Sequence, residues 1–350
     1  MTVQDAPARP MVGEEQIEQL LAKGIRNRWY AICPSSFVTT SPIGLKRAGE
    51  ELVLWRSRSG TAFAMEDLCP HRGAPLSLGR AVGDDALECS YHGVQVAADG
   101  TVVSVPGSPG CALEGKRAVR TFPTQEIAGA VFAWFGDALH PEPVPLVPPA
   151  ELVSDEHSRF LCYAEWGTPY TYSMENNVDP MHGAFLHRQS HTMAKGSFEA
   201  KFRIREHDKG FVFEKTDQRD VNFDWSELVD DGGMYVRLEI PYPDKVGPGG
   251  NFGIVHYATP IEDGSFAAFW WRVRMVSGWQ RDVWRFLYAN RVETRHYAVL
   301  EQDRELLEAT SLLAGRKENL YQHDLGVVRY RRKLRSEARA QLEALQAGPS

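Results

Sequence analysis

The sequence predicts an α+β protein in two parts, an all-β half followed by an antiparallel-sheet half with flanking helices. Three observations predict it. From Trp29 to about Phe135 the apolar residues come in short runs broken by turns, without helical spacing. Next, His140-Pro-Glu-Pro-Val-Pro-Leu-Val-Pro-Pro149 sets five prolines in ten residues, a composition that helix interiors and central strands exclude. Beyond it, strand-like runs between about 197 and 276 are bracketed by segments of helical periodicity.

In chain order, residues 1–13 are expected to be disordered. Ile17, Leu20, Leu21 and Ile25 then recur at helical spacing, so 1–25 reads as an N-terminal extension with a short amphipathic helix over 14–25. Residues 26–139 form the first domain. Its strand signals include Glu51–Trp55, Thr61–Met65, Thr101–Val105 and Ala130–Phe135, with Asp99-Gly100 as a hairpin-type turn. Residues 140–149 are the linker, stiffened by proline. Residues 150–350 form the second domain: a helical segment near 168–190, strands over about 197–276, a helix over about 279–314 and a basic helical tail from Val327 to Ala347.

A length of 350 residues suits two domains. A net charge of −7 argues against nucleic acid and against an anionic membrane surface, since both want basic patches. No apolar run reaches membrane-spanning length. Met1 to Arg9 lack an apolar core, so no secretory signal is expected. Five cysteines are sparse and odd in number, which fits a reducing compartment where cysteine binds metal more often than it forms disulfides. A cytoplasmic location follows as an expectation.

The strongest chemical signal is Cys69-Pro-His71-Arg-Gly-Ala-Pro-Leu-Ser with Cys89-Ser-Tyr-His92-Gly. Two loops each offer one thiolate and one imidazole. Two cysteines on one iron and two histidines on the other is the ligation of a Rieske [2Fe–2S] cluster. Gly73 and Gly93 let the backbone fold tightly beside the ligands. A structural zinc site would instead group like ligands, C-x-x-C with H-x3–5-H.

A second constellation is Met174-Glu-Asn-Asn-Val-Asp179-Pro-Met-His182-Gly-Ala-Phe-Leu-His187. Asp179 and His182 share a helix face, but His182 and His187 lie about 140° apart on a regular helix. They converge on one metal only if the helix opens or ends near Gly183, where Pro180 already perturbs the turn. A carboxylate would complete the 2-His-1-carboxylate set of non-haem Fe(II) oxygenases. On a helix, positions 296, 300, 303, 307, 310 and 314 form one stripe, which puts Asp303 on an apolar face while Glu301 and Glu305 point elsewhere. A buried carboxylate must be paired or bound to metal, so Asp303 is the expected third ligand. Core histidines and an inward salt bridge are the bland alternative.

Residues 69–77 and 89–93 resemble the two cluster loops of Rieske oxygenase components, Arg-Gly-Ala-Pro-Leu included. Ser90 and Val94 depart from the C-P-Y-H-G-W that is common there, at positions that are not ligands. The pattern N-x-x-D-x-x-H-x-x-x-x-H, followed by a distant helical Asp, is similar to the catalytic domain of Rieske non-haem iron oxygenases. The likeness runs over roughly 26–335 and includes the Asp324–Arg332 tail. It implies a helix-grip catalytic domain holding mononuclear iron, with O2 as co-substrate and electrons from NAD(P)H through a separate reductase or ferredoxin. It also implies a head-to-tail homotrimer, in which Asp179 bridges His92 of one subunit and His182 of the next, and it sets Asn176 near the iron. Consistent with a separate reductase, the chain has no G-x-G-x-x-G fingerprint. The alternative is a Rieske electron carrier without oxygenase activity, which would need only the first 140 or so residues.

The substrate is less legible. Single-chain members of the family hydroxylate aromatic rings or demethylate at O or N, and the aromatic richness of 202–276 fits an aromatic or heteroaromatic molecule. Alternation along 266–276 puts Trp270, Arg272 and Arg274 on one face. A solvated outer face is the expectation, and a bidentate clamp for a substrate carboxylate is the alternative.

Overall fold

The computed structural model describes residues 12–189, 193, 195–196, 198–241, 250–311 and 318–348. Most of the segment expected to be disordered, residues 1–11, lies outside the described residues, as does the end of the 303 stripe at position 314.

The first half contains β1 (Arg28–Pro34), β2 (Ile43–Arg47), β3 (Glu50–Arg56), β4 (Ala62–Glu66), β5 (Arg80–Val82), β6 (Ala86–Glu88), β7 (Gln95–Ala97), β8 (Val102–Ser104), β9 (Thr124–Ile127) and β10 (Ala130–Phe135). They make three small antiparallel sheets, ordered β1-β10-β9, β2-β3-β4 and β5-β6-β7-β8. Asp99-Gly100 turns β7 into β8, with Gly100 at φ +85°, a conformation that costs a residue with a Cβ. Every residue of β1 and β10 is buried, so this pair has no solvent face. One side packs within the first half around Ile32, Val131 and Phe135. The other side presents Trp29, Phe132 and Trp134 to Tyr235, Tyr257 and Trp271 of the second half. The two halves are therefore joined by a continuous apolar core rather than by the proline-rich linker alone.

The second half is built on a seven-stranded antiparallel sheet. Its strands are β11 (His157–Trp166), β12 (Phe202–His207), β13 (Gly210–Lys215), β14 (Trp225–Asp230), β15 (Met234–Pro241), β16 (Asn251–Glu262) and β17 (Ser265–Met275), in the order β11-β17-β16-β15-β14-β13-β12. The helices are α1 (Glu14–Lys23), α2 (Ala150–Val153), α3 (Tyr170–Val178), α4 (His182–Leu186), α5 (Gly278–Leu287), α6 (Glu293–Ser311) and α7 (Leu325–Ala347). Ile17 and Leu21 of α1 are buried in one cluster with Tyr330 and Leu334 of α7 and with Met174 and Val178 of α3. The N-terminal helix is thus part of the core of the second half and not an appendage.

Three expectations are corrected. Asp179 and His182 do not share a helix face: the helical segment near 168–190 breaks into two helices where the chain leaves helical geometry at Asp179 (φ −89°, ψ 105°), the residue before Pro180, where sterics disfavour the α conformation. The helix over 279–314 is also divided, by a π-helical turn at Tyr288–Val292 between α5 and α6. The face of β17 carrying Trp270, Arg272 and Arg274 is not solvated, since Arg272 and Arg274 are 3% and 2% exposed. Helices cover this side of the sheet: Trp270 packs with Met174 of α3 and Leu300 of α6.

Candidate metal centres

The loops after β4 and β6 are copies of one another in their backbone bonding. In the first, the Cys69 amide donates to the Ala74 carbonyl and the Gly73 amide to the Cys69 carbonyl, both at 2.8 Å. In the second, the Cys89 amide donates to the Val94 carbonyl at 2.8 Å and the Gly93 amide to the Cys89 carbonyl at 3.0 Å. Both glycines sit four residues past their cysteine with positive φ, +74° and +73°. Cys69 and Cys89 are buried, while His71 and His92 are exposed with ring centroids 4.6 Å apart. Burial pushes the Cys69 thiol up, and the backbone amides of His71 and Arg72 act against that by hydrogen bonding to it. Two buried sulfurs, that of Cys69 with amide donors, and two exposed imidazoles fit the thiolate side and the imidazole side of a [2Fe–2S] cluster.

The second constellation assembles from α4 and α6. His182 opens α4, and His187 follows its last residue with φ −100° and ψ 39°, so the helix ends between them as convergence requires. One ligand atom each from His182, His187 and Asp303 lie within 4.8 Å of one another. Nε2 of His187 is 3.2 Å and Nε2 of His182 is 3.8 Å from the Asp303 carboxylate. Burial disfavours a charged His187 ring, but Asp303 offsets this and the net shift is upward.

Each imidazole has its other nitrogen occupied. His182 Nδ1 lies 2.7 Å from the backbone carbonyl of Asp179, and His187 Nδ1 lies 2.9 Å from Oε1 of Gln302. A carbonyl oxygen only accepts, so both rings donate from Nδ1, which leaves Nε2 of each as the atom that would ligate a metal beside Asp303. Asn176 donates to Asp303 Oδ1 at 3.2 Å. The donor set suits a divalent iron: two imidazoles, one carboxylate and space on the remaining side.

The Asp179 carboxylate accepts from the amides of Met181 (2.7 Å) and His182 (3.2 Å) and stays 28% exposed. Glu301 and Glu305 are exposed, as the helical stripe predicts. Sequence reasoning missed Gln302. Its only signal is a place next to Asp303, and spacing carries no information about its reach to His187.

A small cavity of about 40 Å³ adjoins the three ligands. Its walls include Phe223, Leu238, Ile254, Trp270 and Arg272. The Phe223 ring stands edge-on to His182, with centroids 5.8 Å apart. Behind Trp270, His256 stacks on the indole at 4.8 Å, and its Nε2 is 3.0 Å from Ser173 Oγ. Burial pushes His256 down to about 3, so it is neutral.

Residues 28–123 match the family model of the Rieske [2Fe-2S] domain, and residues 166–340 match that of the vanillate O-demethylase oxygenase C-terminal domain. A vanillate O-demethylase oxygenase subunit of Pseudomonas sp. (strain HR199 / DSM 7063) is 30% identical over 174 residues, covering 47% of this chain and 46% of its own. The 5,5'-dehydrodivanillate O-demethylase oxygenase subunit of Sphingobium sp. (strain NBRC 103272 / SYK-6) is 26% identical over 283 residues, covering 75% of this chain and 63% of its own. This chain thus spans about half the length of the first of these relatives. Among solved structures, a carbazole-bound oxygenase in complex with ferredoxin superposes with a TM-score of 0.78 at 20% identity, covering 97% of this chain and 99% of that one. Dicamba monooxygenase bound to dicamba gives 0.72 at 20% identity, covering 92% and 99%.

Proposed function

The chain belongs to the Rieske oxygenases whose catalytic half is the vanillate O-demethylase oxygenase C-terminal domain, and from that premise we propose that it is the terminal oxygenase component of a multicomponent system. It hydroxylates or oxidatively demethylates a small aromatic substrate with electrons from NAD(P)H. The observation that carries this reading is the convergence of His182, His187 and Asp303 beside an apolar cavity, in a chain that also has paired Cys-His loops.

We assign Cys69, His71, Cys89 and His92 to the cluster, within a domain over 26–139, and His182, His187 and Asp303 to the iron, within 150–350. A Rieske cluster supplies single electrons, and a ferrous iron with open positions activates dioxygen. The chain's own residues set the conditions for that chemistry. The Asp179 carbonyl and Gln302 hold the two imidazoles in one tautomer. Asn176 steadies the Asp303 oxygen, and Phe223 and Trp270 wall the cavity against water.

Cluster histidines at the surface suit electron transfer across a subunit boundary in a homotrimer, with the part-exposed Asp179 carboxylate as the relay to His182. A ferredoxin or reductase supplies the cluster. None of the five cysteines pairs in a disulfide, and we place the protein in the cytoplasm. No helix is long and apolar enough to cross a membrane among the described residues.

Iron analysis with EPR tests the reading. The purified chain should hold about three irons, two in the cluster and one mononuclear. Asp303→Ala should remove the mononuclear iron and leave the cluster absorbance intact. A wild-type chain with two irons, and no substrate-coupled O2 consumption when supplied with a surrogate reductase, would be a carrier instead.

A further inference from the structure

Trp270 is a wall of the cavity beside His182, His187 and Asp303, and it also begins a run of oxidisable side chains. Where β17 pairs with β11 it stands directly opposite Cys162, and residues opposed in this way carry their side chains on one face within contact reach. Cys162 is buried, and its Sγ lies 3.9 Å from the Tyr288 hydroxyl. Tyr297, near the start of α6, brings its phenol to the same thiol by a hydrogen bond.

The surroundings give this run a direction. The other ring neighbours of Trp270 are His256 and Trp166, each with centroids 4.8 Å away, and both are buried. Tyr288 is buried as well, whereas Tyr297 is 41% exposed. Indole, thiol and phenol therefore lead in sequence from the cavity to the surface. An oxygen-activating iron beside an indole is hazardous whenever no substrate takes up the oxidising equivalents. Oxidation of Trp270, or of the two histidines that share its cavity, would destroy the site.

We propose that Trp270, Cys162 and Tyr297 form an electron route from the surface to the iron cavity, which quenches peroxide there when substrate is absent. This rests on the oxygenase reading and adds a protective function to it. Hydrogen peroxide at a ferrous site takes one electron from iron and one from Trp270, and with two protons from solvent it gives two waters. Tyr297 replaces the electron lost by Trp270 across the Cys162 sulfur, so indole and thiol end as they began. The phenol is left as a phenoxyl radical, its proton released to water. A soluble thiol returns the hydrogen atom and then pairs with a second thiol as a disulfide. The order runs downhill, because an oxidised indole is a stronger oxidant than a phenoxyl radical.

The test uses the iron-loaded holoenzyme with its cluster oxidised, without substrate or reductase, mixed with hydrogen peroxide under argon and frozen. Wild type should give a tyrosyl signal by EPR that narrows when the protein carries ring-deuterated tyrosine. Tyr297→Phe should lose that signal and raise the fraction of Trp270 peptide that gains oxygen, read by mass spectrometry, with iron content unchanged before the mixing. Cys162→Ala should do the same, and Tyr288→Phe should keep the signal. The route is overturned if iron-replete wild type gives no tyrosyl signal, if Tyr297→Phe retains it, or if Trp270 oxidation does not rise in that variant. Should Cys162→Ala fail to fold, the half-exposed Tyr297 position decides alone. A wild-type chain without mononuclear iron would refute the oxygenase reading and the route together, whereas iron without the radical refutes the route only.

Discussion

Gln302→Leu should cost the protein most of its hold on mononuclear iron while leaving the cluster untouched. The substitution keeps the side-chain volume roughly constant and removes the one acceptor for His187 Nδ1, which lies at 2.9 Å. His187 is 1% exposed, so no solvent stands ready to replace that acceptor. An unmatched buried donor costs about 1–3 kcal/mol, which at about 1.4 kcal/mol per decade is roughly 5- to 150-fold in affinity. Loss of a hydrogen-bond partner to a metal-ligating histidine typically weakens binding by about 10- to 100-fold, so the two routes agree. The assay is iron retention against a graded ferrous chelator under argon, with the visible absorbance of the cluster as internal reference. Gln302→Glu, which still offers an oxygen, should retain iron to wild-type chelator concentrations. If Gln302→Leu also does so, His187 is not oriented by Gln302 and the tautomer argument fails.

Asp179→Asn should keep both metal centres and lose most turnover, because the backbone carbonyl of Asp179, and not its side chain, holds His182 Nδ1. Iron loss in that variant, or unchanged coupled turnover, would remove Asp179 from the relay. His256, fully buried and held down to about 3, should make the catalytic half acid-sensitive. Its folded value lies below the unfolded one near 6.5, so the unfolded chain binds the extra proton and stability falls as pH drops below about 6.5. Between pH 7 and pH 5 this single group costs roughly 2 kcal/mol, and denaturation of His256→Gln at the two pH values should lack that component. Asp224→Ala should destabilise by about 3–5 kcal/mol, since it strands Lys215, whose side chain is 0% exposed and 3.4 Å from the carboxylate. A loss below about 1 kcal/mol in chemical denaturation would mean that the pair behaves as a surface one.

What the sequence made legible was local. The cluster loops could be read because each packs its Cys, His and Gly into five residues, 69–73 and 89–93, and backbone bonding repeats the same turn in both. Asp303 was legible because a helix has one dominant period, and Leu300 and Leu307 mark its buried side. The break between His182 and His187 followed from arithmetic on that same period. Arg272 was placed on the wrong side of the solvent boundary for the opposite reason. Strand alternation sorts residues into two faces but does not say which face is covered, and here α3 and α6 arrive from distant sequence to cover it. Gln302 depends on where α4 ends relative to α6, a tertiary distance with no counterpart in residue spacing.

The apolar seam between β1-β10 and the large sheet bears on modularity. Trp29, Phe132 and Trp134 are nearly solvent-free only because Tyr257 and Trp271 stand against them, with Phe132 stacked on Trp271 at 6.2 Å. An isolated cluster domain cut at the proline-rich stretch would carry this aromatic strip bare, an invitation to self-association in solution. Chimeras that exchange cluster domains between relatives would meet the same surface as a matching problem. Such a graft succeeds only when the seam residues of both halves travel together, so the unit of inheritance is the pair.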